Sequence, residues 1–453
     1  MKKVFLLFSL SFSLIGALSA QTELDLINAV SLDSLSQTLQ EFTGEVATNV
    51  GGNSVTILNR EQSNNDLAGD YLVEKFNAMN NLTVTDQPFN TNGRNIIATQ
   101  LGKTNPNDIY IICAHYDSVA DYCADDNASG TATVLEVARI LSTQCMDNTL
   151  VYALWDEEEI GLRGANFYAS QANNNGDNIL GVLNIDMMGY DGDDDDDFDI
   201  DVRPIANSIE MKDDLVALLA TYNFNLNVNV VNPGTTASDH ARFWDQGYSA
   251  VLVGESWDND DQTPYYHSSS DRFSTLDLPY FHELAKLIMS YMVTKGSLVS
   301  VDNSLTVSPS TLTSNMDNAS YQWVDCSTNL PIPSEVNQSF SPTTSGSYAV
   351  EVTVGSCTEL SACVDFTSLV TDTFKLNTIN IYPNPTSSIL TIEHSLNDDL
   401  MFELFSIEGK KVLQKVLTEK RSKLNMSQLS KGTYFVRMTQ NKKVFSQQIV
   451  IGK

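Results

Sequence analysis

The stretch Asp108-Ile109-Tyr110-Ile111-Ile112-Cys113-Ala114-His115-Tyr116-Asp117 joins an uninterrupted apolar run to a histidine and an aspartate. Such a run predicts a strand that is buried on both faces, as in a parallel sheet covered by helices. Four similar apolar runs occur at Asn95–Gln100, Leu150–Trp155, Leu180–Ile185 and Ala250–Gly254. Helical patterns lie before, between and after them, at Leu67–Met79, Gly130–Leu141, Ile209–Tyr222 and Pro279–Val293. We therefore predict an α/β domain over residues 21–297, with a three-layer, mostly parallel sheet and helices on both faces.

The charge balance excludes one class of function and divides the chain. The 453 residues carry 26 basic and 57 acidic side chains, a net charge of −31, which argues against a nucleic-acid-binding protein because such proteins present a basic face. Residues 373–453 hold 12 of the basic and 6 of the acidic side chains, so the rest holds 14 and 51. This change of sign indicates a separate module at the C-terminus.

The N-terminus predicts a signal peptide over residues 1–20. Lys2 and Lys3 precede a short apolar run, and small residues suited to cleavage follow at Ala17, Ser19 and Ala20. No other run of about 20 apolar residues occurs, so no membrane-spanning segment is expected in the mature protein.

The cysteines of an exported protein can form disulfides. There are six, three before residue 150 and three after residue 320, and these odd numbers predict at least one free thiol in each group. Cys113 lies in an apolar strand and is expected to be a buried thiol.

Two small β-rich domains are expected after the α/β domain. Residues 298–372 are rich in Ser, Thr and Pro and contain short alternating runs such as Tyr348–Val354, which predicts an immunoglobulin-like β-sandwich. Residues 373–453 contain further short strand patterns separated by turns, at Ile379–Tyr382, Ile389–Glu393, Met401–Phe405 and Tyr434–Thr439.

The residues that can carry chemistry follow the predicted strands. They are His115 and Asp117, the acidic pair Asp125-Asp126, the run Asp156–Glu159, Asp186, and His267 in a loop between aromatic and hydroxyl residues. In α/β sheets working residues gather where strands end. Three carboxylates and two imidazoles suit two divalent ions, and mixed nitrogen and oxygen donors favour zinc over calcium. A cluster of two Zn²⁺, three carboxylates and one bridging hydroxide would have a net charge of zero.

Five segments in order make a family resemblance specific: AHYDS from Ala114, ADDNASG from Ala124, EEEIGLRG from Glu157, NIDMMGY from Asn184 and YYHSSSD from Tyr265. A sixth, Ser238-Asp239-His240 followed by Gly247-Tyr248 and Glu255, also matches. Over most of residues 21–295 the chain resembles the co-catalytic two-zinc aminopeptidases of the bacterial leucyl aminopeptidase type, which are relatives of glutaminyl cyclases.

The resemblance implies a ligand set and a peptide bond that is often cis. His115 and Asp186 would hold one zinc, Glu159 and His267 the other, and Asp126 would bridge both. Asp117 would orient His115. The peptide between Asp126 and Asn127 is often cis in this family.

The resemblance also implies a reaction. Glu158 would be the general base that takes a proton from a metal-bridging water and passes it to the leaving amine, and Glu157 would be an additional acid. The substrates would be peptides with a free N-terminus. Some relatives have a tyrosine at the position of Thr235 that stabilises the tetrahedral intermediate; here that role would fall to zinc alone or to another donor such as Tyr266.

Other interpretations stay open. The same scaffold with one working zinc serves glutaminyl cyclases, and a non-catalytic surface binding protein is a third possibility, although all five ligands and Glu158 are present. The run Asp191–Asp201 contains eight aspartates; a solvated acidic loop is favoured over a calcium site. Asp258, Asp260 and Asp261 are also expected in a solvated loop, or could attract a substrate ammonium group.

A second resemblance covers about the last eighty residues. Three segments carry it: Ile381–Thr386, Leu404–Lys410 and Leu429–Val436. They resemble the C-terminal sorting domain of type IX secretion. This implies the type IX secretion machinery as a partner, export across the outer membrane to the cell surface or the medium, and usually removal of the domain.

Overall fold

The computed structural model describes residues 22–61, 64–259, 261–355, 357–367, 379–396, 399–441 and 443–452. The predicted signal peptide, residues 1–20, lies outside the described residues. The same is true of Asp260 and of the predicted boundary between the two C-terminal domains at residues 372 and 373.

A mixed eight-stranded sheet forms the centre of the first domain. The domain has ten strands, which are in chain order β1 (Thr48–Val50), β2 (Asn53–Val55), β3 (Thr83–Pro88), β4 (Arg94–Gln100), β5 (Asn105–His115), β6 (Asn148–Trp155), β7 (Ile179–Ile185), β8 (Asp197–Asp201), β9 (Asn227–Val231) and β10 (Ala250–Glu255) among the described residues. Strands β1 and β2 form a separate hairpin, and the sheet order is β3-β4-β6-β5-β7-β10-β8-β9. The four central strands β6, β5, β7 and β10 are parallel, whereas β4 and β8 run antiparallel to their central neighbours.

Helices cover both faces of this sheet. They are α1 (Glu23–Asn28), α2 (Leu32–Phe42), α3 (Asp66–Asn77), α4 (Gly130–Leu141), α5 (Arg163–Asn175), α6 (Ser208–Tyr222), α7 (His240–Asp245) and α8 (Leu278–Gly296). Alternate residues of β5 explain the two layers: Ile112 and Ala114 pack in the core with α4 and α8, and Ile111 and Cys113 pack in the core with α5 and α7. The predicted α/β fold class, with helices on both faces, is confirmed.

Strand β8 corrects the expectation of a solvated acidic loop. Its five residues are all buried. Phe198 and Ile200 pack in the main core, so Asp197, Asp199 and Asp201 share the opposite face. The strand was missed because the aspartates before it hide the period-two alternation from residue 197 to 201.

The remaining strands form two β-rich regions. The first contains β11 (Leu305–Val307), β12 (Leu312–Ser314), β13 (Ser320–Asp325), β14 (Leu330–Pro331), β15 (Ser339–Phe340), β16 (Gly346–Val354), β17 (Cys357–Leu360) and β18 (Val364–Phe366). Its two sheets, β11-β12-β15 and β14-β13-β16-β17, share a core around the buried Trp323. The second contains β19 (Ile379–Tyr382), β20 (Ile389–His394), β21 (Leu400–Ser406), β22 (Lys411–Leu417), β23 (Arg421–Asn425), β24 (Gly432–Gln440) and β25 (Lys443–Ile451). Its sheets, β19-β20-β23 and β22-β21-β24-β25, also share one core.

The cysteine pairing differs from the expectation. Cys326 bonds to Cys363 within the β-sandwich region, and Cys145 of the α/β domain bonds to Cys357 of that region. Both free thiols, Cys113 and Cys123, are therefore buried in the α/β domain. The prediction of a free thiol in each group was wrong, because the disulfide between Cys145 and Cys357 joins the two groups. The sequence does not indicate this pairing. Among the described residues, no helix has the length and apolar character needed to cross a membrane.

Candidate active site

The parallel strands bring the site residues together. His115 is the last residue of β5, Asp186 directly follows β7, and Glu159 lies four residues after β6. Because these strands are parallel neighbours, their carboxyl ends meet at one edge of the sheet. Asp126 comes from the irregular helical turn between β5 and α4, and His267 from the loop after β10.

Asp126 lies between the two histidines. Its Oδ1 is 3.2 Å from Nε2 of His115, and its Oδ2 is 3.4 Å from Nε2 of His267. The same His115 nitrogen is 3.3 Å from Oδ1 of Asp186, and the same His267 nitrogen is 3.2 Å from Oε2 of Glu159. The five residues therefore form two groups that share one carboxylate.

The donor set fits divalent metal ions. Three buried carboxylate oxygens that face this cluster, Asp126 Oδ2, Glu159 Oε1 and Asp186 Oδ1, accept no hydrogen bond from any described residue. Burial, with further contributions from Asp126 and other carboxylates, raises the pKa of Glu159 to about 9. Carboxylates without donors that converge in a buried place need a compensating cation, and two imidazoles beside them are typical of a transition-metal or zinc site.

Asp117 contacts both His115 and the loop that carries the glutamates. Its carbonyl oxygen lies 3.2 Å from Nδ1 of His115, closer than its carboxylate at 3.5 Å. The carboxylate accepts backbone N–H bonds from Glu158 at 3.1 Å and Glu159 at 3.3 Å. Asp117 therefore positions the loop that carries these two glutamates, in addition to contacting the histidine.

The four consecutive acids have different surroundings. Asp156 accepts hydrogen bonds from the Tyr116 hydroxyl and the Asn65 amide, and Glu157 pairs with Arg163 at 3.3 Å. Glu158 is buried beside the cluster, and no lysine or arginine among the described residues forms an ion pair with it. Burial, together with nearby carboxylates and against the effect of His115, raises the pKa of Glu158 to about 10.

Two positioning residues were not singled out from the sequence. The Asp271 carboxylate accepts the backbone N–H groups of Asp125 and Asp126, at 2.9 and 3.0 Å, and so fixes the segment that carries the shared carboxylate. The Ser238 hydroxyl donates to Oδ2 of Asp186 at 2.6 Å. Both residues stand inside the quoted segments, but only the folded chain shows what they contact. The peptide between Asp126 and Asn127 is cis.

A cavity of about 680 Å³ opens beside the cluster. Asp186 lies in its wall, and so does Tyr266, whose ring stacks on His267 with centroids 3.7 Å apart. Thr235 also lines the cavity, and its backbone N–H donates to Asp201 at 2.5 Å.

Comparison with known families agrees with this geometry. Residues 95–292 match the model of peptidase family M28. The matched segment includes all five candidate ligands, Glu158 and Asp271. Residues 380–452 match the secretion system C-terminal sorting domain, which confirms the second resemblance.

Individual relatives match parts of the chain. Leucine aminopeptidase 1 of Trichophyton rubrum is 30% identical over 213 residues, which cover 44% of this chain and 56% of the relative. A probable zinc metalloprotease of Leptosphaeria maculans is 39% identical over 111 residues, which cover 22% and 26%. The chain thus spans about a quarter to about half the length of these relatives. The crystal structure of the Legionella pneumophila LapA aminopeptidase matches 61% of this chain and 76% of its own, with a TM-score of 0.53 and 20% identity, and has a similar fold.

Proposed function

We propose that the protein is an exported zinc aminopeptidase that hydrolyses the first peptide bond of peptides with a free N-terminus. The position of Asp126, with one carboxylate oxygen toward His115 and the other toward His267, is the observation that carries this proposal. A carboxylate placed between two imidazole nitrogens suits a pair of ions that act together on one substrate.

The proposed cofactor is two Zn²⁺ per chain. One group consists of His115 and Asp186 and the other of Glu159 and His267, with Asp126 common to both. Zinc supplies Lewis-acid polarisation of the substrate carbonyl and lowers the pKa of an attacking water.

The side chains around the metals have distinct proposed roles. Glu158 removes a proton from the attacking water and delivers it to the leaving amine. The positive charge of the bound ions would counter the burial and the neighbouring carboxylates that raise its pKa, and so would keep it ionised. Asp117 positions Glu158 through the backbone bond described above. Tyr266 stacks on His267 and lines the cavity. Its hydroxyl is the proposed donor that stabilises the tetrahedral intermediate, in place of the tyrosine that some relatives have at the position of Thr235.

The export route follows from the C-terminal match. A sorting domain at residues 380–452 supports transfer by a type IX system to the cell surface or the medium. The signal peptide at residues 1–20, the immunoglobulin-like domain at residues 298–372 and the boundary at residue 373 remain part of this proposal. Removal of the sorting domain would be visible as a mass difference between the cell-associated precursor and the exported protein.

The decisive experiment combines activity with metal analysis. The chain without residues 1–20 is assayed on a series of aminoacyl anilides, and bound zinc is measured on the same sample. Glu158→Gln is expected to lower kcat by about 10²–10⁴-fold with the zinc content unchanged, because it removes the base without removing a ligand. Glu157→Gln is the matched control; it keeps most of the activity because Glu157 contacts Arg163 and Asn90 outside the cluster.

Other outcomes point to the alternatives. One zinc per chain, no anilide cleavage and conversion of a Gln-initiated peptide to pyroglutamate would replace the proposal with a glutaminyl cyclase. Two bound zinc ions without turnover of any anilide or Gln-peptide would favour the alternative of a non-catalytic binding protein.

A calcium ion at the acidic loop is the remaining part of the cofactor proposal. Carboxylate oxygens of Asp191, Asp193 and Asp195 lie within 4.8 Å of one another, and oxygen ligands alone suit calcium. Calcium is expected to raise the unfolding temperature of the native chain and not that of Asp193→Asn. Equal unfolding temperatures with and without calcium would instead identify a solvated loop.

A further inference from the structure

The cavity beside the metal cluster carries more negative than positive charge. Besides the candidate ligand Asp186 and the buried Glu255, it is lined by three aspartates, Asp199, Asp201 and Asp258. Arg203 is the basic residue in its lining. Its Nε donates to the Gly234 carbonyl at 2.8 Å and its guanidinium lies over the Trp244 ring, and its charge partly offsets the rise in the pKa of Asp201. Across the part of the chain that the structure describes, no lysine or arginine forms an ion pair with any of these three aspartates.

Asp201 has an oxygen left without a donor. The residue is 7% exposed, and Oδ1 accepts the Thr235 backbone N–H. No described residue donates to its Oδ2, although the side chain belongs to the cavity wall. Asp199 differs, because Asn229, Ser256 and the Asp258 backbone N–H all donate to its carboxylate. Oδ2 of Asp201 is thus an acceptor left to the cavity, and a cationic group of a ligand can bind it there.

The rest of the wall suits a long side chain with a charged end. Leu252 and Val231 provide apolar surface for a methylene chain, and Trp257 and Tyr266, whose ring centroids are 5.1 Å apart, present aromatic faces that attract cations. The volume of about 680 Å³ is that of a site for a whole small ligand and far exceeds the needs of a lone ammonium group.

We propose that this cavity is the specificity pocket for the first side chain of the substrate, and that it selects lysine and arginine. The inference rests on the proposed aminopeptidase function. The substrate's charged end group lies against Asp201, within reach of Asp199 and Asp258. A leucine side chain in the same cavity forms no ion pair with Asp201, which favours the cationic side chains over it.

The test compares substrates of equal shape and different charge. Arginyl and citrullinyl anilides differ in the guanidinium charge and hardly in size, and a leucyl anilide reports the basal reaction. For the native chain, kcat/KM is expected to be at least about tenfold higher for arginine than for citrulline, as for the loss of a charged hydrogen bond. Asp201→Asn, which keeps the bond to Thr235, should abolish this ratio and leave leucine cleavage within about twofold.

Asp213→Asn is the control variant. It removes the same charge from an exposed position on α6 and should keep the arginine preference of the native chain. Equal cleavage of arginine and citrulline, or a preference for leucine, would overturn the inference and leave the aminopeptidase proposal standing. A parallel loss of arginine and leucine cleavage in Asp201→Asn would assign that carboxylate to the substrate's α-ammonium group or to folding, and also contradict it. Failure on every anilide would instead contradict the proposed function itself.

Discussion

Two groups of buried carboxylates differ in what faces them, and members of both groups, Asp186 in one and Asp199 and Asp201 in the other, line the same cavity. Asp126, Glu159 and Asp186 come from three different loops, meet two imidazoles, and leave oxygens without donors. Asp199 and Asp201 come from one strand and accept hydrogen bonds from neutral amide, hydroxyl or backbone groups. The first arrangement suits metal ions, which need several converging ligands, and the second keeps its charge available for an organic cation.

The largest expected effect separates the two groups by metal content. Asp126→Asn should lower bound zinc below two per chain and reduce activity by more than the roughly 10–100-fold that is usual for residues that only orient ligands. Asp201→Asn should retain the full zinc content. Metal analysis of both purified variants checks this. Equal zinc loss in both would show that the two groups of carboxylates belong to one metal site.

A smaller effect is expected at Asp271, which positions the shared carboxylate through two backbone N–H bonds. Asp271→Ala removes both acceptors, so activity should fall about 10–100-fold and zinc should be released at lower chelator concentrations. The readout is zinc retention against a graded chelator series. Native retention with reduced activity would show that Asp271 acts on something other than the metal cluster.

The negative charge of Asp201 should lower the free energy of unfolding of the protein. Burial, with contributions from Asp199 and Asp258, raises the pKa of Asp201 to about 6, above the value of about 3.9 for an unfolded chain. The folded state therefore binds the proton more tightly, and the free energy of unfolding falls as pH rises from about 4 to 6. Asp201→Asn should raise it at pH 7 by on the order of 1–3 kcal/mol.

Denaturant unfolding of the native chain and of Asp201→Asn at pH 4 and pH 7 measures this difference. The stabilisation should be present at pH 7 and much smaller at pH 4, where the folded aspartate is protonated and the unfolded one is about half protonated. A variant that is less stable than the native chain at both pH values would contradict the assignment.

The smallest effect is a change of selectivity with pH. Because only the ionised Asp201 pairs with a cation, the ratio of arginine to citrulline cleavage should fall as pH decreases through about 6. Both substrates share the metal cluster, so titration there cancels in the ratio. A ratio that is constant between pH 5 and pH 8 would mean that another group sets the preference.

The apolar runs in the sequence predicted the central strands well. Strand β5 includes the predicted run from Asp108 to Ala114, and helix α4 has the predicted bounds, Gly130–Leu141. The candidate ligands also lie together, because residues that follow neighbouring parallel strands must meet at one edge. Long apolar runs and polar residues at their ends are local features, and the sequence contains them in full.

Only the tertiary structure decided how the acids are used. Eight aspartates between residues 191 and 201 look alike in sequence, yet Asp193 is exposed and Asp201 is buried in a cavity wall. The disulfide from Cys145 to Cys357 and the contacts of Asp271 likewise join residues far apart along the chain. The environment of a carboxylate depends on which distant groups surround it, because burial and hydrogen bonds set its charge and its partners.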